Sequence, residues 1–309
     1  MTLPSDLADR LKLPAIAAPM FLVSGPDLVI AACRAGVIGS FPTPNCRTVA
    51  DLDQWLDRIT AALGPDDAPF SANLIVHRTN RRLGDDLASV VRHRVPLVIA
   101  SVGSPEHVIG PIHDYGGFVF ADVASLRHAE KAVAVGADGL ILLTAGAGGQ
   151  TGWANPFAFV RAVRGFYDGP LVLAGGVGDG TAIHAARALG CDLAYLGTRF
   201  IATAESLAPA PYKQMLVASR LDDIVLTRAI TGLQTSILRP SLIQAGLDPD
   251  NLPDRGSIEV NEDIDADAPK RWKDIWSAGH SVSGVDGVPP VADLVARLIA
   301  EYQVARAAA

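Results

Sequence analysis

The feature that most constrains this chain is an alternation. Short apolar runs at 15–20, 37–41, 70–76, 95–101, 118–121, 140–143, 171–174 and 193–196 are each followed by a stretch with helical spacing or helix-start signals. In 49–63, for example, apolar residues recur at helical intervals until Gly64 and Pro65 stop them. Asn155 followed by Pro156 reads as a helix N-cap with proline at the first helical position. Eight strand-then-helix units are the count of a closed (β/α)8 barrel, a TIM barrel of the α/β class. A doubly wound sheet is the alternative. It usually has fewer strands and a Gly-x-Gly-x-x-Gly turn after the first one, where this chain has Pro19-Met20.

The alternation ends near Glu205. Residues 208–221 look helical, 224–231 could be a strand or the entry to a helix, and 247–269 is acidic and turn-rich, with Pro249, Pro253 and Gly256. The reading is an excursion, 205–288, forming a small and mainly helical cap on a barrel made of 1–204 and 289–309. Residues 289–305 are amphipathic and return to the barrel as its last outer helix.

Composition removes several function classes. A net charge of −7 and the absence of Lys/Arg runs argue against a nucleic-acid partner. No window of about 18 uncharged apolar residues exists, so no membrane span is expected. The first residues lack the apolar core of a signal peptide. Cys33, Cys46 and Cys191 are odd in number and far apart, unlike a disulfide framework or a metal site, and fit a reducing, cytoplasmic setting. No His/Asp/Glu group has metal-ligand spacing, and no Gly-x-Ser-x-Gly elbow occurs.

Chemistry is expected where the runs end. The sixth empties into a loop with Gly146, Gly148, Gly149 and Gly152, which lets backbone approach a flat ligand. Gly175-Gly176 and Gly197-Thr198 follow the seventh and eighth runs, where barrels bind phosphate through backbone N–H groups. Together these favour a phosphate-bearing cofactor. Neither a Walker nor a Rossmann motif is present, which disfavours a nucleoside triphosphate or a dinucleotide. Asn73 stands near the exit of the third run, and His77 and Arg78 after it could line the mouth. Asp122 ends the fifth run, a position suited to chemistry or to capping the helix that starts near Ser125.

Ala18-Pro19-Met20, Asn73, Ala147-Gly148-Gly149, Gly175-Gly176 and Gly197-Thr198-Arg199-Phe200, in that order, resemble the nitronate monooxygenase (2-nitropropane dioxygenase-like) family of FMN-dependent barrels. Flavin-type enoyl-ACP reductases are its relatives. The run from Trp272 and Lys273 to Ser277-Ala278-Gly279 resembles the family's late segment. The resemblance implies that Asn73 hydrogen-bonds the FMN ring and that Ala147, Gly148 and Gly149 lie along it. It implies that Pro19 and Met20 pack on the ring and that Gly176, Gly197 and Thr198 cradle the phosphate; Ala18, Gly175 and Asp122, at the exits of the first, seventh and fifth runs, are expected to belong to the same cofactor site. The partners expected are a small substrate and O2, and a homodimer is compatible with the resemblance.

Two positions depart from the family. Members often end the sixth loop in Ala-Gly-Gly-His, with that His as the catalytic base; here it is Gln150, which takes no proton at neutral pH. Relatives often carry Gln after the late Ala-Gly pair, where this chain has His280. The expectation is a nitronate monooxygenase weak on neutral nitroalkanes, with Gln150 and His280 as its catalytic side chains. The alternatives are an NAD(P)H-dependent flavin reductase of a quinone or enoyl thioester, and a non-catalytic flavin-binding protein.

Overall fold

The computed structural model describes residues 3–253 and 274–309. Trp272, Lys273 and the acidic stretch 254–269 lie outside the described residues. In chain order the first six strands are β1 (Ala15–Ala17), β2 (Ile38–Pro42), β3 (Phe70–Ile75), β4 (Leu97–Ser101), β5 (Phe118–Val123) and β6 (Gly139–Leu143). A two-residue strand, β7 (Gly149–Gln150), is followed by β8 (Leu171–Ala174) and β9 (Leu193–Leu196). All but β7 join a closed parallel barrel of eight strands, sealed where Ile16 of β1 lies opposite Tyr195 of β9. The α/β barrel expected from the alternation is the observed fold.

Side chains alternate across each strand, so every second residue points into the barrel. Ile16, Ile38, Ile99, Phe120, Ile141, Val172 and Leu193 form one buried apolar cluster there, with Leu3 and Leu7 from the N-terminal segment packed into it. Two residues further along β2, β4, β5 and β9 the inward positions are Ser40, Ser101, Asp122 and Tyr195. The interior therefore turns polar one layer below its carboxyl-end mouth.

Local chemistry fixes the outer helices. Helix Val49–Ala62 starts from a capping box: the Asp51 amide donates to Thr48 Oγ1 at 3.1 Å and the Thr48 amide to Asp51 Oδ2 at 2.9 Å. Asn155 caps helix Pro156–Arg164, accepting from the Phe157 amide at 2.9 Å. Helix Leu83–Arg92 follows a loop held by Asn80, whose side chain donates to the Ile75 carbonyl at 2.7 Å. Helix Val291–Ala307 packs on helices Gly180–Leu189 and Pro26–Ala35, over the seam between β1 and β9.

The excursion differs from its expected form. It holds helices Ala210–Ala218 and Arg239–Gln244, but also β10 (Ile224–Thr227) and β11 (Thr235–Leu238). These two pair antiparallel, and β11 pairs in turn with β7, Thr235 opposite Gln150, to make a three-stranded sheet. The cap is thus a sheet with helices rather than mainly helical. Its partner strand is two residues of a glycine-rich loop, too short to carry a period. Tyr212, Leu216, Leu238 and Trp276 of the excursion share one apolar cluster with Val23 and Ile201 of the barrel loops.

Phe120 is fully buried at the centre of the barrel. Truncating it to alanine is expected to destabilise the chain by about 3–5 kcal/mol, read from the shift of a urea unfolding curve.

Candidate active site

A cavity of about 460 Å³ opens at the carboxyl ends of the strands, between the barrel and the excursion. Its size suits a cofactor with a small substrate. Among the described residues the charged side chains lining it are Arg82, Asp86 and Asp122. The first two neutralise each other at the rim: Arg82 donates to Asp86 Oδ1 at 2.8 Å, and Thr43 Oγ1 donates to Asp86 Oδ2 at 2.8 Å. The other Arg82 donors in use go to the carbonyls of Cys46 (2.7 Å) and Arg47 (3.2 Å).

The floor is a polar chain across three neighbouring strands. Asn73 Nδ2 donates to the Ile99 carbonyl at 3.0 Å and to Ser101 Oγ. Both amide hydrogens are spent, so Oδ1 is the Asn73 atom left for a ligand. Ser101 in turn hydrogen-bonds Asp122. Burial raises the Asp122 carboxyl to about 7, against which the Ser101 bond acts as the lesser effect. Its Oδ1 is buried and has no partner. Tyr195, also lining the cavity, is held protonated by burial first and by Asp122 second. The helix after β5 is capped by Ser125, which accepts from the His128 amide at 3.2 Å, so Asp122 is free of that task.

Asn45 shapes one wall. Its side chain donates to the carbonyls of Met20 (3.1 Å) and Ser24 (2.8 Å) and accepts from the Leu22 amide at 2.7 Å. These bonds fix the loop that presents Pro19 and Met20 to the cavity. The opposite wall carries Gln150 and the stacked rings of Tyr212 and Trp276, 5.0 Å apart with 11° between their planes. The Tyr212 hydroxyl donates to the Ser277 carbonyl at 2.5 Å and ties helix Ala210–Ala218 to the late segment that carries Trp276.

The glycines divide into two kinds. A Cβ on Gly148 would lie 2.7 Å from the Gly279 amide nitrogen, so Gly148 is needed for close packing of two backbones. Gly176 has φ of +73° and open space where a Cβ would point, and a Cβ on Gly197 would meet only Met20 and Ala18 at 3.6 and 3.8 Å. Those two leave room for a ligand beside their amides, a cradle that side chains would fill. With the orphaned Asp122 oxygen, they make a site that fits a planar ring on the floor and a phosphate at the β8 and β9 exits.

Of the residues singled out in the sequence, Ala18, Pro19, Met20, Asn73, Asp122, Ala147, Gly148, Gly149, Gln150, Gly175, Gly176, Gly197 and Thr198 all line this cavity. His280 does not. Its amide donates to the Gly146 carbonyl at 2.9 Å, and its exposed ring lies over the outer side of Gly146. Gly279 and Ser281 line the cavity while the exposed His280 side chain between them does not, so a catalytic role for His280 has no support here. His77 and Arg78 also lie off the lining. Asn45, Arg82, Ser101, Tyr195 and Tyr212 were not foreseen; Tyr195 and Ser101 stand two residues past an inward apolar position, a signal the sequence does carry. Cys33, Cys46 and Cys191 are buried and unpaired, with thiols pushed up to about 12 chiefly by burial.

The nitronate monooxygenase family model matches residues 78–301. The chain belongs to that family. Its relatives include a nitronate monooxygenase of Paraburkholderia phytofirmans, 28% identical over 282 residues and covering 76% of each chain. Another is the (3aS,4S,5R,7aS)-5-hydroxy-7a-methyl-1-oxo-octahydro-1H-indene-4-carboxyl-CoA dehydrogenase of Mycobacterium tuberculosis, 27% identical over 234 residues. That match covers 75% of this chain but only 64% of the dehydrogenase. Among solved structures, nitroalkane oxidase from Streptomyces ansochromogenes aligns over 99% of this chain and 100% of its own, with a TM-score of 0.86 and 26% identity. FabK from Thermotoga maritima shares the fold, with a TM-score of 0.79 and 24% identity over 98% of this chain and 96% of its own.

Gly148→Ala forces apart two backbones, whereas Gly176→Ala has room and meets only a left-handed backbone cost of about 1–2 kcal/mol. In flavin-free protein Gly148→Ala is therefore expected to lower the unfolding midpoint more than Gly176→Ala, as denaturant titration of both would read.

Proposed function

We propose that the cavity holds FMN and that the protein is a nitronate monooxygenase, oxidising small alkyl nitronates with O2 to a carbonyl compound and nitrite. The observation that carries this reading is the combination of an open glycine cradle at the β8 and β9 exits with an uncharged amide, Gln150, in the cavity wall. Bound flavin would supply the electron acceptance and the reaction with O2. The chain's own residues do the rest. Backbone amides of Gly176, Gly197 and Thr198 hold the phosphate, and Asn73 Oδ1 accepts a ring N–H. Met20 and Pro19 pack on the ring. The Gln150 amide donates to a nitronate oxygen, and the stacked Tyr212 and Trp276 keep water out. The neutralised Arg82–Asp86 pair at the rim favours a small substrate over a large anion.

A neutral nitroalkane must first lose its α-proton, and Gln150 takes none. The nitronate is already deprotonated and needs no base. The second reading, an NAD(P)H-dependent reductase, draws on the names of the dehydrogenase and of FabK.

Three outcomes separate these readings. Yellow holoprotein that loses colour when an alkyl nitronate is added without air, and regains it with air, supports the nitronate activity. Colour lost to NAD(P)H but not to nitronate supports the reductase; colour lost to neither leaves a binding protein. Gln150→His is expected to raise kcat/KM for the neutral nitroalkane by about 10²-fold or more, the usual contribution of a positioned base, with little change for the nitronate.

A further inference from the structure

Asp122 has a place in the fold that neither packing nor capping accounts for. It stands inward at the end of β5, one step above the apolar layer, and lines the cavity floor. Ser101 Oγ accepts from Asn73, so its own hydrogen is free to point at Asp122. Of the carboxyl oxygens, Oδ1 is buried and has no hydrogen-bond partner among the described residues.

Among the described residues no cation offsets this carboxyl. Neighbouring β4 brings Ser101, neighbouring β6 brings Leu143, and β9 brings Tyr195, which burial keeps protonated. Among the described residues the one cation lining the cavity is Arg82, whose Nη groups go to Asp86 and two backbone carbonyls, leaving only a buried Nε without a partner. An ionised carboxylate here would accept at most the Ser101 hydrogen bond where it has room for several, in a site that a ring would seal from water. A neutral acid would still accept from Ser101 and would gain one O–H to donate from Oδ1.

We propose that Asp122 holds a proton when the flavin is bound and donates its O–H from the cavity floor to an acceptor atom of the ring, so that flavin binding takes up a proton. This deepens the flavin reading above and rests on it. Burial already brings the empty-site carboxyl to about 7. Sealing by the ring and the new hydrogen bond both raise it further. Above pH 7 the free protein has therefore lost the proton that the complex keeps, and affinity falls as pH rises.

The test is FMN titrated into flavin-free full-length protein, read by quenching of flavin fluorescence, between pH 7 and 9. That window lies above the phosphate's own second ionisation near about 6. The dissociation constant of the wild type should rise about tenfold per pH unit, the slope for one proton taken up. Asp122→Asn keeps a donor and removes the titration; its constant should stay within about twofold across the window. A flat or falling wild-type constant overturns the proposal, as does a slope that survives in Asp122→Asn. If that variant does not fold, the wild-type slope alone decides. No FMN uptake at any pH would instead sink the flavin reading itself, and this inference with it.

Discussion

Two glycines in contact hold the site together. A Cβ on Gly148 would crowd the Gly279 amide, and one on Gly279 would lie 2.6 Å from the Gly146 carbonyl oxygen. With neither side chain present, the loop after β6 and the late segment lie backbone against backbone. The Gly279 amide then reaches Thr198 Oγ1 at 2.9 Å, which ties in the short helix after β9. Three stretches distant in sequence meet at this point. The wall carrying Gln150, Trp276 and Ser277 is built on that contact, and so is the outward turn of His280.

The second constraint is the step in polarity inside the barrel. Apolar side chains fill the layer from Ile16 to Leu193, and the next inward positions are Ser40, Ser101, Asp122 and Tyr195. Ser40 Oγ, Ser71 Oγ and Asp122 Oδ1 are buried without hydrogen-bond partners. Unpartnered polar atoms in a packed core are costly unless something completes them. Here they lie in and below the floor of a ligand-sized cavity, and a bound ring would complete the uppermost one. The fold alone does not choose among the reactions seen on such barrels. The choice rests on a few side chains around that floor, Gln150 among them.

Much of this was legible in the chain. Eight apolar runs with helical spacing between them are a long, repeated signal, and the barrel follows from it. The glycines after β8 and β9 were legible as cavity-lining positions because their place in the unit is fixed by the fold. The sheet of β7, β10 and β11 was not, since β7 is two residues long and its partners lie more than 80 positions away. Asn45 was hidden for a similar reason: its three bonds serve a loop some 20 residues earlier. His280 misled because it follows a motif that does line the cavity; the side chain is turned outward by the 3-10 turn His280–Gly284, which the motif does not encode.

The central claim is that the cavity binds flavin with its phosphate at the β8 and β9 exits and its ring over Asn73 and Asp122. A crystal structure of the protein with FMN tests it most directly. The account predicts density for one FMN per chain, phosphate oxygens within hydrogen-bonding distance of the Gly176 and Thr198 amides, and the ring between Asn73 and Gln150. FMN bound elsewhere, bound with its phosphate away from those amides, or absent at saturating concentration would contradict it.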